Sequence, residues 1–140
     1  MSTDTDVDTD ADTDADLDIN RPDVLAEVTA AFARYEAALV GNDVTVLDEL
    51  FWPSPRTLRY GAAENPYGFD AIQAFRASRP ATGLARAILR TQITSYGERF
   101  ATTHVEFQRV GSERIGRQTQ TWLKLHEGWR VVSAHVSLLA

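Results

Sequence analysis

Apolar residues recur at spacings of three and four through Leu25, Val28, Phe32, Tyr35 and Leu39, a pattern that predicts one helix with a single buried face. Asn20 is placed as its N-cap, with Arg21 next, Pro22 in the first turn and Asp23 near the helix start; Gly41 closes it. Asp43 then caps a short second helix through Val46, Leu47, Leu50 and Phe51, which Pro53 and Pro55 end. Thr57–Tyr60 reads as a short strand, and a loop rich in Gly, Asn and Pro leads into a helix from Asp70 to Arg79. After Pro80 the chain reads as long strands: Ala87–Tyr96, Arg99–Val110, Ile115–His126 and Trp129–Leu139. Turns are expected at Gly97, Gly111-Ser112 and Glu127-Gly128. Helices first and an antiparallel meander afterwards is an α+β order.

The last strand departs from clean alternation. Val132, Ala134, Val136 and Leu138 fall on one side, and Trp129, Val131 and Leu139 on the other with Ser133, His135 and Ser137. A sheet with one wet face alternates more cleanly than this. One face is therefore expected to cover the helices and the other a second copy of the chain, as a homodimer or higher homo-oligomer.

Composition changes the picture mainly at the N-terminus. Asp occupies every second position from Asp4 to Asp18, so like charges repel and little apolar mass offsets ordering. Residues 1–19 are expected to be a disordered, solvating tail and residues 20–140 a single domain. The tail has neither the basic start nor the apolar stretch of a signal peptide, and no apolar run is long enough to span a bilayer. The chain carries −6, but eight of its 20 acidic residues sit in the tail, leaving 12 against 14 basic residues in the body. That excess of two, with the repelling tail, argues against nucleic acid. All the basic residues but Lys124 are Arg, which suits planar pairing with a small anionic ligand. Cys is absent, which excludes disulfides, thiolate metal sites and a Cys nucleophile and fits a cytoplasmic protein.

Candidate chemistry concentrates in the loop after the short strand, where Arg59, Tyr60, Glu64, Asn65 and Tyr67 lie between two ordered elements. Arg59 in an apolar strand needs a partner: Glu36, Glu64 or Asp70 as a salt bridge, or the carboxylate of a substrate. Tyr35 is either a core tyrosine or a phenol aimed into a pocket as a proton donor. His104 and Glu106 share a strand face without a second ligand pair at zinc-type spacing, so no metal is expected. His135, among small residues, is a candidate to line a cavity. Nucleophile-elbow, phosphate-loop and dinucleotide motifs are absent.

Several segments together carry a resemblance. Leu58-Arg59-Tyr60-Gly61-Ala62-Ala63-Glu64-Asn65, Tyr67-Gly68, Ile72, Phe75-Arg76 and Arg79-Pro80 contribute, as do Gly116-Arg117-Gln118-Thr119-Gln120-Thr121-Trp122, Gly128-Trp129-Arg130 and Ala134-His135-Val136-Ser137. Over Asn20 to the C-terminus the chain resembles the AtzH-like (HpxZ) family of the SnoaL-like superfamily. The resemblance implies a cystatin-like cone, in which N-terminal helices pack on a curved antiparallel sheet enclosing a pocket. It also implies small-amide and urea catabolism, linked to oxalurate and cyanuric acid. The implied reaction is a decarboxylating amidohydrolase step from 1,3-dicarboxyurea to allophanate, with no cofactor. The family's helix tyrosine and strand arginine match Tyr35 and Arg59, which become the expected catalytic pair. Tyr60, Glu64, Asn65, Tyr67, Arg76 and His135 are the expected pocket residues. The alternative is a non-catalytic small-anion-binding protein, or an accessory to a pathway amidase.

Overall fold

The computed structural model describes residues 12–140. Among the described residues beyond Asn20, three helices, α1 (Pro22–Val40), α2 (Val44–Leu50) and α3 (Phe69–Ser78), lie around a five-stranded sheet. The strands are β1 (Leu58–Tyr60), β2 (Arg86–Tyr96), β3 (Phe100–Arg109), β4 (Gly116–Leu125) and β5 (Gly128–Leu138), in the order β1-β5-β4-β3-β2. β2 to β5 form an antiparallel meander, and β1 joins its edge in parallel with β5. The sheet is the α+β arrangement expected from the element order.

The predicted face of α1 is buried through Val28, Phe32, Tyr35 and Leu39, with Val24 taking the place of the half-buried Leu25. Leu47, Leu50, Phe51 and Ile72 meet it from the other helices and the chain after α2, and Phe107, Trp122 and Val131 from the sheet. Burying each large apolar side chain contributes about 1.5–3 kcal/mol. Asp43 caps α2 as expected, accepting from the Val46 N–H at 3.2 Å. Asn20 does not cap α1. Its N–H donates to the Ser95 carbonyl at 2.9 Å and its Oδ1 accepts from the Ser95 N–H at 2.9 Å, so the cap position passes to Arg21.

Residues 12–17, within the expected tail, are helical, and Ile19 bridges Tyr96. The rest of the Asp-rich segment lies outside the described residues.

The face assignment of β5 needs correction. The hairpin turn falls at His126-Glu127, because Leu125 already pairs with Gly128, whose φ of +124° suits glycine. Farther along, Thr121 pairs with Ser133 but Trp122 with Val131, so Val132 is an extra residue in a β-bulge. A bulge reverses the alternation. Trp129 and Val131 therefore join Ala134 and Val136 on the buried face, and Ser133, His135 and Ser137 keep the opposite one. The apolar pattern on both faces, on which the expectation of a partner subunit rested, comes from counting straight through that bulge.

Gly116 is required for space rather than for backbone freedom. A Cβ built there would lie 2.2 Å from Cζ of Phe107, its partner across the β3–β4 ladder. The phenyl ring thus lies over the glycine, beneath the guanidinium groups of Arg86 at 4.3 Å and Arg109 at 5.5 Å. Gly116→Ala is expected to destabilise the fold by about 1–3 kcal/mol through overpacking, read as a lowered urea midpoint with unchanged m-value.

Candidate functional site

A small cavity of about 30 Å³ opens between α1, β1, the end of α3 and the helix-facing side of the sheet. Strand alternation sends Arg59 into it: Arg59 pairs with Ala134, one of the buried inward residues of β5. Tyr35 reaches the same cavity from α1, its ring 6.4 Å from Phe32 and 6.3 Å from Phe51, and only 4% of the residue is exposed. The helix tyrosine and the strand arginine thus share one cavity. Leu84, from the connection between α3 and β2, closes one side. Room for about two water-sized groups means that any larger ligand enters only as the lining side chains move apart.

The wall is strongly cationic. Arg79 comes from the end of α3, and Arg86 and Arg109 face each other across the β2–β3 ladder. With Arg59 they make four guanidinium groups at one cavity. Two are paired. Arg59 Nη1 donates to Glu64 Oε2 at 2.7 Å. Arg86 grips Glu36 through Nε at 2.9 Å and Nη2 at 2.6 Å, and its Nη1 donates to Gln118 Oε1 at 3.3 Å. Arg79 and Arg109 have no carboxylate partner among the described residues. Four cations against two carboxylates leave the cavity wall with an excess of two positive charges.

That excess has an electrostatic cost. Burial pushes Arg79 below its ordinary value, and the neighbouring Arg76 charge adds to the effect; Tyr35 opposes it. Arg109 is likewise held down, first by burial and then by Arg86 and Arg59. A bound anion would relieve both.

Glu64 reaches Arg59 by folding across Gly61, where a Cβ would stand 1.6 Å from Glu64 Oε2. Arg76 is buried but does not line the cavity. It is spent on Asp48, which accepts from Nη1 at 2.8 Å, and lies 4.6 Å from the centroid of the Phe51 ring. Tyr60, Tyr67 and His135 form a cluster on the opposite side of the sheet. The two tyrosine hydroxyls are 3.1 Å apart, and the Tyr60 ring stands edge-on to His135 at 5.5 Å. Tyr60 pairs with His135, one residue on from Arg59 and Ala134, so both point away from the cavity. Asn65 is exposed in the loop. Arg79, Arg86, Arg109 and Gln118 were not among the residues singled out for the site.

Size alone would mislead. A groove of about 540 Å³ runs along Arg21, Glu27, Glu98, Arg99 and Lys124, but most of its charges satisfy one another: Arg21 pairs with Asp23 and Glu98, and Lys124 with Glu27. His104 and Glu106 lie on the outer sheet face beside a groove of about 360 Å³. Among the described residues, no three His, Asp or Glu side chains converge as a metal site would require, and no helix is long and apolar enough to cross a membrane.

Helices backing a curved, open, mostly antiparallel sheet with a cavity between them define the NTF2-like, cystatin-like class of α+β proteins. Within that class the chain belongs to the AtzH-like family, whose model matches residues 17–140. It is similar to a protein of unknown function from Pectobacterium atrosepticum SCRI1043, at 61% identity over 88% of this chain and 96% of that one, with a TM-score of 0.87. A cystatin-like fold protein from Burkholderia xenovorans LB400 is 45% identical over 87% of this chain and 96% of its own, TM-score 0.84. An NTF2-like superfamily protein from Salmonella enterica serovar Typhimurium LT2 is 25% identical over 84% and 92%, TM-score 0.68. No curated protein matches the chain.

Proposed function

We propose that this chain is a cofactor-free decarboxylating amidohydrolase acting on an N-carboxylated urea, 1,3-dicarboxyurea, to give allophanate. One observation carries the reading: Tyr35 and Arg59 open onto a single small cavity whose wall holds two more cations than anions. The substrate is a compact dianion, so its charge matches that excess. Arg59 holds one carboxylate with the guanidinium nitrogens that Glu64 leaves free.

The N–CO2 bond then breaks. Its electron pair stays on nitrogen, carbon dioxide leaves, and Tyr35 supplies the proton that makes the new N–H. Water reprotonates the phenolate left behind. The net change is one proton consumed and one carbon dioxide released per dianion.

The test is direct turnover of freshly generated 1,3-dicarboxyurea, followed by carbon dioxide release and allophanate formation. Arg59→Ala is expected to lower kcat/KM by roughly tenfold to a hundredfold, the worth of a charge-assisted hydrogen-bond pair. Tight binding of a carboxylated urea without turnover would replace the enzyme by an anion-binding accessory protein.

A further inference from the structure

Buried donors around the cavity outnumber the acceptors available to them. Arg79 Nε and Nη2 are inaccessible to solvent and have no protein acceptor, and neither has Gln118 Nε2. Gln118 is 2% exposed, and its orientation follows from its neighbour. A guanidinium can only donate, so Arg86 Nη1 fixes the amide oxygen of Gln118 as acceptor and leaves the NH2 group as an unused donor. A second glutamine on the same face of β4 is set in the same way. The Trp122 indole can only donate, so Thr103 Oγ1 accepts from it at 3.2 Å and passes its own hydrogen to Gln120 Oε1 at 3.1 Å. Gln120 Nε2 is then also buried without an acceptor. Buried polar groups are nearly always satisfied. The orphaned donors of Arg79 and Gln118, both residues of the cavity wall, are complementary to a ligand that only accepts.

We propose that Arg79, Arg109 and the amide of Gln118 form a second carboxylate subsite in the cavity that Arg59 and Tyr35 line, so that the chain selects a compact ligand carrying two carboxylates. Arg59, with Glu64 on its Nη1, serves the first carboxylate. Arg79 carries an unused Nε–Nη2 edge, the edge that grips a carboxylate in parallel hydrogen bonds, and movement of the side chain opens it to the ligand. Arg109 lacks a carboxylate among the described residues, and Gln118 donates from the side. Arg86 is committed to Glu36 and acts as a positioning residue that sets Gln118. The inference rests on the proposed function in taking this cavity as the substrate site, but it is tested without turnover.

The probes are glutarate, whose carboxylates are separated by three atoms as in 1,3-dicarboxyurea, and butyrate, which lacks one carboxylate. Affinity is read by calorimetry and by the rise in Tm, which follows occupancy. The wild-type chain is expected to bind glutarate at least tenfold more tightly than butyrate. Arg79→Met removes a half-buried charge that lacks a carboxylate partner among the described residues, so its ligand-free Tm should rise, while the preference for glutarate falls to within about twofold. Arg79→Gln, which keeps a donor, should lose most of the preference and serves if the Met variant folds poorly. Arg90→Gln, on the outer sheet face, should bind as the wild type does. Equal wild-type affinity for the two probes would overturn the subsite, and so would an undiminished preference in both Arg79 variants. Selective glutarate binding without turnover of 1,3-dicarboxyurea would remove the enzymatic reading and leave the subsite standing. Turnover with no dicarboxylate preference would do the reverse.

Discussion

Replacing Tyr35 by Phe is expected to lower kcat on 1,3-dicarboxyurea by about a hundredfold to ten-thousandfold, the usual worth of a positioned acid. The phenyl ring keeps the contacts with Phe32 and Phe51, so folding should barely change. Anion binding through the arginines should also persist. A fall in kcat with KM and Tm close to wild type is therefore the signature of a lost proton donor. Full turnover in Tyr35→Phe would remove Tyr35 from the mechanism. A fall in Tm matching the fall in activity would return it to the core.

The second large effect is on stability. Asp48→Ala leaves the Arg76 guanidinium, whose side chain is 3% exposed, without its carboxylate. Breaking a buried pair from one side costs about 3 kcal/mol or more, because the remaining charge stays desolvated. Asp48 also accepts from Gln73 at 3.2 Å, and that bond goes too. Denaturant unfolding should show the loss at constant m-value. Arg76→Met, which removes the charge together with the pair, should cost less than Asp48→Ala. The reverse order would mean that Arg76 is not desolvated in solution.

Much of the fold was legible because its elements obey simple periods. The α1 face was readable from spacing, and so was the alternation of β3 around Thr103, Val105 and Phe107. The bulge at Val132 was not, since one extra residue leaves no mark in an apolar run and yet reverses every face assignment on one side of it. The site divides in the same way. Arg59 stood out as a charge in a short apolar strand, and Tyr35 was tied to it only by family resemblance. Arg86 and Arg109 meet through strand register, and Arg79 arrives at the end of a helix, so no local pattern joins them. The available signals were Arg79-Pro80 and Gln118, both within the resembling segments. Tyr60, Tyr67 and His135 looked equally good as loop and strand-end polar groups, but alternation turns them to the other side of the sheet.

The three-residue strand β1 takes its ladder from β5, more than seventy residues later in the chain, pairing Leu58, Arg59 and Tyr60 with Ser133, Ala134 and His135. This is a long-range contact, and its loop-closure entropy must be met before it stabilises anything. During translation the helices and the first hairpins can form while Arg59 still lacks its place. Arg59 is therefore set in place only when β5 docks, and a chain interrupted before residue 133 would hold most of the hydrophobic core without the cavity that Arg59 and Tyr35 share. Closure of the sheet edge and placement of Arg59 beside Tyr35 become the same event.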